Sequence, residues 1–400
     1  MKKLSVLSVG ILALLAVTLP LMGQAPTAPK GFAHTNVVVA DVHPANKPSG
    51  ILPVEYKAAY GFNHLPNQGA GVTIALVDAY KDPNITSDLS FYASYFHLGP
   101  CNFTVVDQAT TEGQGWDLEE SLDVQQACAL APQANIVLVE AASSSFTDLL
   151  TAVATATQSP YNASVVSMSW GGGEFSGEQD YDSYFCNITN SLGQPVTFVA
   201  ATGDGGHGTI YPSTSPCVVA AGGTTLALGT STPLANPLQL NYGHETAWNG
   251  SGGGVSSEEA QPSFQNPACN TWSTTNRCVP DISADANPGT GVPVYDTYSY
   301  GGWVQVGGTS VATPDWGSFF TLVNSKRVAN GGTTLSTADA DLYTFYYNST
   351  DYANYFHDIT SGTNGSCGSQ CDTGVGYDLV TGIGTFQANN LYPAMVADPN

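Results

Sequence analysis

Apolar runs of strand length alternate with segments of helical periodicity along the first half of the chain. The pattern predicts strands at 72–78, 103–107, 135–141, 164–170 and 195–202, and helices near 84–96, 116–130, 146–157 and 178–192. Strands that are apolar throughout are buried on both faces, and helices of this length connect parallel strands. We therefore predict an α/β fold with a doubly wound, mostly parallel sheet flanked by helices.

Polar or aromatic residues close several of these strands. Asp78, Trp170 and Asp204 come at or just after the end of an apolar run. In doubly wound sheets, ligands bind outside the carboxyl ends of the strands. These three residues are therefore candidates for a functional site. The region 205–300 is rich in glycine, serine and proline, and it is predicted to form loops and short strands.

The clearest chemical signal is GGTSVATP at 307–314, which a helix-like run follows. A serine after glycines at the start of a helix has an accessible hydroxyl, and its backbone N–H can stabilise a developing oxyanion. The same pattern also fits a serine that only caps a helix. Ser310 is the candidate nucleophile, since the motif through Pro314 resembles the nucleophile region of subtilisin-like serine peptidases.

A nucleophilic serine needs a base, and the helix predicted at 116–130 offers carboxylates. Glu119 and Asp123 are four residues apart on one face, which apolar residues continue, so both acids are expected to point inward. Buried acids are costly unless they are paired or protonated. Glu120 lies about 100° away around the helix and is expected to face solvent.

A histidine base is the alternative. His207 lies in the string GDGGHGT, and with Asp78 and Ser310 it would complete an Asp–His–Ser set. The residues that follow it, IYPSTSP, are rich in turn formers and do not continue as a helix. A neutral subtilisin-like peptidase with this set stays open, as does a catalytically silent secreted binding protein on the same fold.

Several separated motifs resemble those of the sedolisin family of serine-carboxyl peptidases. They are Glu119 and Asp123 before Ala131–Pro132, the strand end at Asp204, the GTSxxxP around Ser310, and SMSWGG, SGGGVS and VPDISADANP. The resemblance covers residues from about 49 to 390. It implies an acid serine endopeptidase in which Ser310 is acylated, Glu119 is the general base and Asp204 lies in the oxyanion hole. Asp123 would hydrogen-bond to Glu119, and Asp78 would either orient the pair or have a structural role only.

The same resemblance implies one calcium ion near the C-terminus. The family motif of Asp–Ile followed by GxGxD matches Asp358, Ile359, Gly374, Gly376 and Asp378. Two carboxylates and backbone carbonyls suit a hard cation with oxygen ligands, and glycines allow a loop to turn its carbonyls inward.

The charge balance agrees with a protein that works in acid. Only 9 Lys and Arg stand against 32 Asp and Glu, which gives a formal net charge of −23. Such a surface repels nucleic acid and anionic membranes. The expected partners are therefore protein or peptide substrates, and we expect the protein to be a monomer. In acid the carboxylates become protonated, and a carboxylate base works where an imidazole is already charged.

Residues 1–25 have the features of a secretory signal, since Lys2 and Lys3 precede a long apolar stretch. We therefore expect a secreted, extracellular protein with no membrane segment after removal of the signal. We further expect a leader or linker at 26–48, a peptidase domain at 49–393 and a tail at 394–400. The leader is shorter than the folded prodomain usual in the family.

Export makes disulfide bonds reasonable, and the eight cysteines form an even number. Cys269 with Cys278 and Cys367 with Cys371 are the natural local pairs. Of the remaining four cysteines, we favour the pairs 101–128 and 186–217.

Overall fold

A computed structural model describes residues 31–40, 46–229 and 241–399. In chain order its strands are β1 (His34–Thr35), β2 (Val38–Val39), β3 (Thr73–Ala79), β4 (Asn102–Asp107), β5 (Asn135–Ala141), β6 (Val165–Met168), β7 (Trp170–Gly173), β8 (Thr197–Ala201), β9 (Ile210–Tyr211), β10 (Val219–Gly229), β11 (Asn241–Ala247), β12 (Gly254–Ala260), β13 (Asn276–Val279), β14 (Ile282–Asp285), β15 (Val292–Asp296), β16 (Gly302–Gly307), β17 (Phe356–His357) and β18 (Thr385–Phe386). Its helices are α1 (Pro53–Tyr60), α2 (Ile85–Tyr95), α3 (Asp117–Leu130), α4 (Phe146–Thr157), α5 (Thr309–Ala329), α6 (Ala338–Tyr347), α7 (Ser349–Tyr355) and α8 (Ala388–Ala397).

An eight-stranded sheet forms the centre, in the order β11-β10-β8-β6-β3-β5-β4, with β14 also paired to β10. All of these pairings are parallel except that between β10 and β11. The predicted α/β class and the mostly parallel sheet are therefore confirmed. The strands β3, β6 and β8 are buried along their whole length, which is why their sequences are apolar without alternation.

The two faces of the sheet are covered by different helices. Helices α1, α2, α3 and α5 contribute side chains to one buried cluster, and α4 packs with the opposite faces of β3 and β5 in a second cluster. Helix α3 is buried on every side, because the sheet, α2, α5 and β15 surround it. Glu120, expected to face solvent, is consequently buried, and that prediction was wrong.

One predicted helix differs from the structure. The helix expected near 178–192 is only a short 3-10 helix, Glu178–Tyr184. Beyond its end, Asn187 adopts a left-handed conformation with φ of 58°, which a continuous helix cannot contain. Near the C-terminus, α8 spans Ala388–Ala397.

The apolar run 164–170 is divided at Ser169. Strand β6 ends at Met168, and β7 begins at Trp170 in a different sheet, where it pairs with β1 and β9. The chain therefore leaves the central sheet at Ser169, at the carboxyl end of β6. This is the edge of the sheet where the sequence placed its candidate site residues.

The four expected disulfide bonds are present and are thereby confirmed, namely 101–128, 186–217, 269–278 and 367–371. Among the described residues, none of the helices combines the length and the apolar character that a membrane crossing requires.

Candidate active site

Ser310 is the second residue of α5, and the turn that precedes it depends on Gly308. Gly308 has φ of 101°, a conformation that residues with a side chain rarely adopt. Ser310 is completely buried, and its hydroxyl donates to Ser169 O at 3.3 Å. The end of β6 and the start of α5 are thereby held together at the serine.

Asp204 follows β8 and reaches the first turn of α5. Its Oδ1 accepts from the N–H and the hydroxyl of Thr309 at 2.8 and 2.9 Å, while Oδ2 has no partner among the described residues. A Cβ atom at Gly308 would lie 2.7 Å from this Oδ2 and 1.9 Å from Asn36 O. Asp204 Oδ2 and the Asn36 carbonyl therefore lie next to the same point. Burial raises the pKa of Asp204 to about 7.

Glu119 and Asp123 lie one turn apart on α3, and both are fully buried. Glu119 Oε2 accepts the Asn36 N–H at 3.1 Å, and Asp123 Oδ1 accepts the Ser169 hydroxyl at 2.8 Å. Each acid keeps one oxygen without a partner among the described residues, Oε1 of Glu119 and Oδ2 of Asp123, and the hydrogen bond between them that the resemblance implies stays a prediction. Ser169 connects Asp123 to the nucleophile, because its hydroxyl donates to Asp123 and its carbonyl accepts from Ser310.

Burial raises the pKa of both acids well above the ordinary range. For Glu119 the charge of Asp78 adds to the effect, whereas the nearby Ser310 hydroxyl lowers the pKa. For Asp123 the next causes are the charges of Asp78 and Glu119. Acids this close release their protons in two steps that belong to the pair. The pair therefore passes through a singly charged form.

Asp78 closes β3 beside this pair and is also fully buried. Neither of its oxygens has a hydrogen-bond partner among the described residues, and burial with the charge of Glu140 raises its pKa to about 8. Glu120 continues the acidic cluster, since its Oε2 accepts the Asp82 N–H at 3.0 Å. Burial, followed by the charge of Asp78, raises the pKa of Glu120 as well.

Two candidates from the sequence have other surroundings. The Trp170 indole N–H donates to Val77 O at 2.7 Å, so the ring ties β7 to β3. His207 is exposed and lies beside the 367–371 disulfide, and its backbone N–H donates to Asn364 O. No contact recorded among the described residues joins His207 to Asp78 or Ser310.

Asn36 is a site residue that no motif in the sequence indicates. The segment 31–40, treated as a leader without periodicity, forms β1 and β2 inside the cleft, and Asn36 is 1% exposed there. Its carbonyl accepts the Ser310 N–H at 3.2 Å. The β-branched run Val37–Val39 indicates a strand locally, but nothing in the sequence indicates that this strand meets Ser310.

The five expected calcium ligands lie in two adjoining loops. Asp358 accepts the Gly376 N–H at 3.1 Å, and Asp378 Oδ2 accepts the Gly374 N–H at 3.1 Å. Asp378 is 2% exposed, and neither aspartate forms an ion pair with a described residue. Two carboxylates so placed lack a compensating positive charge, and a hard cation with oxygen ligands would supply it. The donor set therefore fits calcium.

Comparison with known proteins gives consistent results. A sequence model of the subtilase family matches residues 118–354, which is more than half of the chain. Kumamolisin from Bacillus sp. (strain MN-32) is 30% identical over 370 residues, covering 84% of this chain and 62% of that protein. Sedolisin from Pseudomonas sp. (strain 101) is 27% identical over 374 residues, covering 87% of this chain and 61% of that protein. The chain thus spans about three fifths of the length of these relatives.

A solved structure agrees with these sequence matches. It is described as Pseudomonas sedolisin, a serine-carboxyl proteinase, complexed with two molecules of pseudo-iodotyrostatin. It matches with a TM-score of 0.73 and 26% identity, covering 89% of this chain and 100% of that chain. The similarity therefore extends over the sheet, the flanking helices and the strand ends that carry the candidate site.

Proposed function

The chain belongs to the subtilase family and, within it, to the sedolisin family, and on this basis we propose that it is a serine-carboxyl endopeptidase active in acid. One observation carries the proposal. The backbone of one residue, Asn36, meets all three groups. Its carbonyl accepts the Ser310 N–H and lies beside the free Oδ2 of Asp204, and its N–H, in the preceding peptide group, donates to Glu119 Oε2. Acyl transfer needs a nucleophile, a base and an oxyanion donor around one carbonyl, and these groups supply all three.

In the proposed reaction, Ser310 Oγ attacks the carbonyl carbon of the substrate and Glu119 takes the hydroxyl proton. The developing oxyanion receives hydrogen bonds from the Ser310 N–H and from the carboxyl of Asp204. Glu119 then returns the proton to the leaving amine, which departs and leaves an ester on Ser310. Water repeats the same steps to release the acid product.

The requirement for acid follows from two of these roles. Asp204 donates a hydrogen bond only while it is protonated, which its pKa of about 7 allows below neutrality. Glu119 accepts a proton only when the pair that it forms with Asp123 carries one negative charge. Residues 31–40 cover the cleft and add to the burial of this pair, so their departure would let water lower its pKa toward the ordinary carboxyl range.

Asp123 and Asp78 have supporting roles in this proposal. Asp123 accepts the Ser169 hydroxyl, and Ser169 O in turn accepts from Ser310, so Asp123 helps to orient the nucleophile. The charge of Asp78 raises the pKa of both Glu119 and Asp123. Because the pKa of Asp78 is itself about 8, this charge acts as the pH approaches neutrality, whereas in acid Asp78 is neutral beside the pair.

We propose that Asp358 and Asp378, with the backbone carbonyls of Ile359, Gly374 and Gly376, hold one calcium ion. The ion would stabilise the two loops and take no part in the reaction. We also propose that the protein is secreted, with the peptidase domain at 49–393. The four disulfide bonds support an oxidising compartment, whereas the signal predicted at 1–25 lies outside the described residues.

The test is a pH–rate profile on denatured protein, together with labelling by a fluorophosphonate that phosphonylates active serines. We expect a maximum at roughly pH 3 to 5, from the pKa of a carboxylate base. Ser310→Ala should abolish both hydrolysis and labelling, whereas His207→Ala should change turnover by no more than a few-fold. A maximum near pH 8 that His207→Ala removes would establish the neutral alternative. Absence of hydrolysis and labelling by the wild type would establish a silent binding protein.

A further inference from the structure

Thr309 is the first residue of α5, directly before Ser310, and it is completely buried. Two of its groups contact the same oxygen of Asp204, since its N–H donates to Oδ1 at 2.8 Å and its hydroxyl donates to Oδ1 at 2.9 Å. The other oxygen, Oδ2, is shielded from solvent and has no partner among the described residues. The two oxygens of this carboxyl group therefore have different surroundings.

A second contact fixes the direction of the Thr309 hydroxyl. The Gly203 N–H donates to Thr309 Oγ1 at 3.1 Å. An N–H can only donate, so Oγ1 accepts this bond and directs its own single proton to another group. Among the described residues, the other partner of Oγ1 is Asp204 Oδ1, and the hydroxyl therefore donates to that oxygen.

Packing holds the rotamer of Thr309 in addition to these hydrogen bonds. The methyl group of Thr309 lies next to Gly223 of β10, where an added Cβ atom would be 3.5 Å from it. A β-branched side chain has few allowed rotamers on a helix. Because one branch packs and the other bonds to Gly203 and Asp204, the hydroxyl keeps one orientation.

These contacts decide which oxygen of Asp204 carries the proton in acid. A protonated carboxyl group has one O–H that donates and one oxygen that only accepts. A proton on Oδ1 would crowd that oxygen, which already receives two donors from Thr309. The proton therefore belongs on Oδ2, the oxygen that lies beside the Asn36 carbonyl.

From these contacts we infer that Thr309 is a positioning residue, which fixes the proton of Asp204 on Oδ2 and thereby makes this carboxyl group a donor to the oxyanion. The inference rests on the proposed function, because it concerns the same reaction. It assigns a role to a residue that takes no part in the proposed chemical steps. Without the Thr309 hydroxyl, the carboxyl group could also present an acceptor oxygen to the oxyanion, which would repel the developing charge.

The pH dependence distinguishes this role from general support of the fold. Burial raises the pKa of Asp204, whereas both hydrogen bonds from Thr309 lower it, because they are stronger to an ionised carboxylate. Loss of the hydroxyl should therefore raise the pKa of Asp204 further. Glu119 on α3 is the neighbouring titratable group, and its pKa is raised by burial, by the charge of Asp78 and by that of Asp204. The first turn of α5 has no charged side chain.

The first experiment measures kcat/KM against pH on a chromogenic peptide for Thr309→Val, Thr309→Ala and Thr309→Ser. The two variants without a hydroxyl should be about two- to tenfold less active in acid, which corresponds to one neutral hydrogen bond. The fall in kcat/KM above neutrality should move to higher pH by up to about one unit, because ionised Asp204 has lost a donor. Thr309→Ser keeps the hydroxyl and should restore both properties.

Thr321→Val is the matched control. Thr321 lies on the same helix, is equally buried and donates to Gly317 O at 2.8 Å, with no recorded contact to Asp204. Its substitution should change neither the activity nor the position of the fall at high pH. Melting temperatures measured in a Ser310→Ala background show whether the variants fold. If the added methyl group of Thr309→Val prevents folding, Thr309→Ala provides the same test without that group.

A double-variant cycle tests whether Thr309 acts through Asp204. In an Asp204→Ala background no carboxyl group is left to be oriented, so Thr309→Ala should cause no further loss of kcat/KM. In an Asp204→Asn background the loss in acid should persist, because the Thr309 donors still select the amide oxygen and turn the NH₂ group toward the oxyanion. That background has no titrating group at position 204, so Thr309→Ala should not move the profile along the pH axis.

Two results would overturn the inference and leave the proposed function standing. One is a loss from Thr309→Ala that is as large in the Asp204→Ala background as in the wild type. The other is a fall at high pH that Thr309→Ala leaves at the position of the wild type. A wild type that hydrolyses no peptide in acid, or an Asp204→Ala variant with full activity, would overturn the proposed function and the inference together.

Discussion

Asp204 offers the sharpest test of the mechanism, because its two oxygens have different partners. Oδ1 accepts two hydrogen bonds from Thr309. Oδ2 lies near the Asn36 carbonyl and has no hydrogen-bond partner among the described residues. Asp204→Asn keeps the shape and a donor that does not titrate, whereas Asp204→Ala removes the donor. We expect Asp204→Ala to lower kcat/KM by about 10² to 10³ at pH values where the wild-type Asp204 is protonated, which is the usual loss for one oxyanion donor.

The pH dependence distinguishes a protonated donor from a structural acid. Since burial raises the pKa of Asp204 to about 7, the wild type loses its donor above that pH, and kcat/KM should fall by about tenfold per unit. Asp204→Asn should lack this loss while keeping part of the activity. The assay is a pH–rate profile on a chromogenic peptide, with Glu112→Gln, a surface carboxyl substitution, as the matched control.

The same pKa has a consequence for stability that can be measured separately. A carboxyl whose pKa is raised from 3.8 to about 7 holds its proton in the folded state, so the stability it contributes is complete below about pH 3.8 and lost as the pH rises to about 7. At 1.36 kcal/mol per pH unit, the loss is about 4 kcal/mol as an upper value.

This loss should be absent from Asp204→Asn. In a Ser310→Ala background, which prevents self-digestion, the stability of the asparagine variant relative to its parent should improve by up to about 4 kcal/mol between pH 4 and pH 7. Urea unfolding at each pH measures the difference. Parallel pH profiles of the asparagine variant and the wild type, in activity and in stability alike, would refute the role of a protonated Asp204.

The remaining predictions concern the other acids and the calcium loop. Glu119→Gln cannot accept the serine proton, so it should lower the rate of acylation by about 10² to 10⁴, measured as the burst of product in the first turnover. Asp123→Asn should cause a smaller loss, and Glu112→Gln, a surface substitution, should leave the rate unchanged. Glu120→Gln removes a buried acid with a raised pKa, so its melting temperature should rise relative to that of the wild type as the pH rises above the ordinary carboxyl range. A difference in melting temperature that does not change with pH would contradict the burial of Glu120. Chelation of calcium near neutral pH should lower the melting temperature, because an ion at 100 times its Kd adds about 2.7 kcal/mol to the folded state, and Asp378→Ala should make the protein insensitive to the chelator.

The sequence alone determined the class of fold. Strands buried on both faces must be apolar throughout, and this property is visible as continuous runs such as that of β3. The predicted helices near 84–96, 116–130 and 146–157 agree with α2, α3 and α4, because helical periodicity is a local property of the sequence. The helix near 178–192 failed because a single left-handed residue, Asn187, interrupts it.

The sequence also indicated the candidate site residues, since the strand ends that carry Asp78 and Asp204 and the start of α5 that carries Ser310 are recognisable along the chain. The structure brings Ser310, Glu119 and Asp204 to the backbone of one residue, Asn36. The separation of His207 from them could not be predicted from its motif. The motif around His207 resembles that of a catalytic histidine, but the tertiary structure places His207 in a loop beside a disulfide bond.

Only the tertiary structure decided the burial of Glu120 and the position of Asn36. A helical wheel assigns one inward face, and it fails for α3 because the sheet, two helices and β15 enclose the helix on all sides. Asn36 precedes Ser310 by more than half of the chain, and the hydrogen bonds that join them arise from strand pairing between distant segments. Such pairing depends on the complementarity of edges in space, which no local pattern of hydrophobic and polar residues encodes.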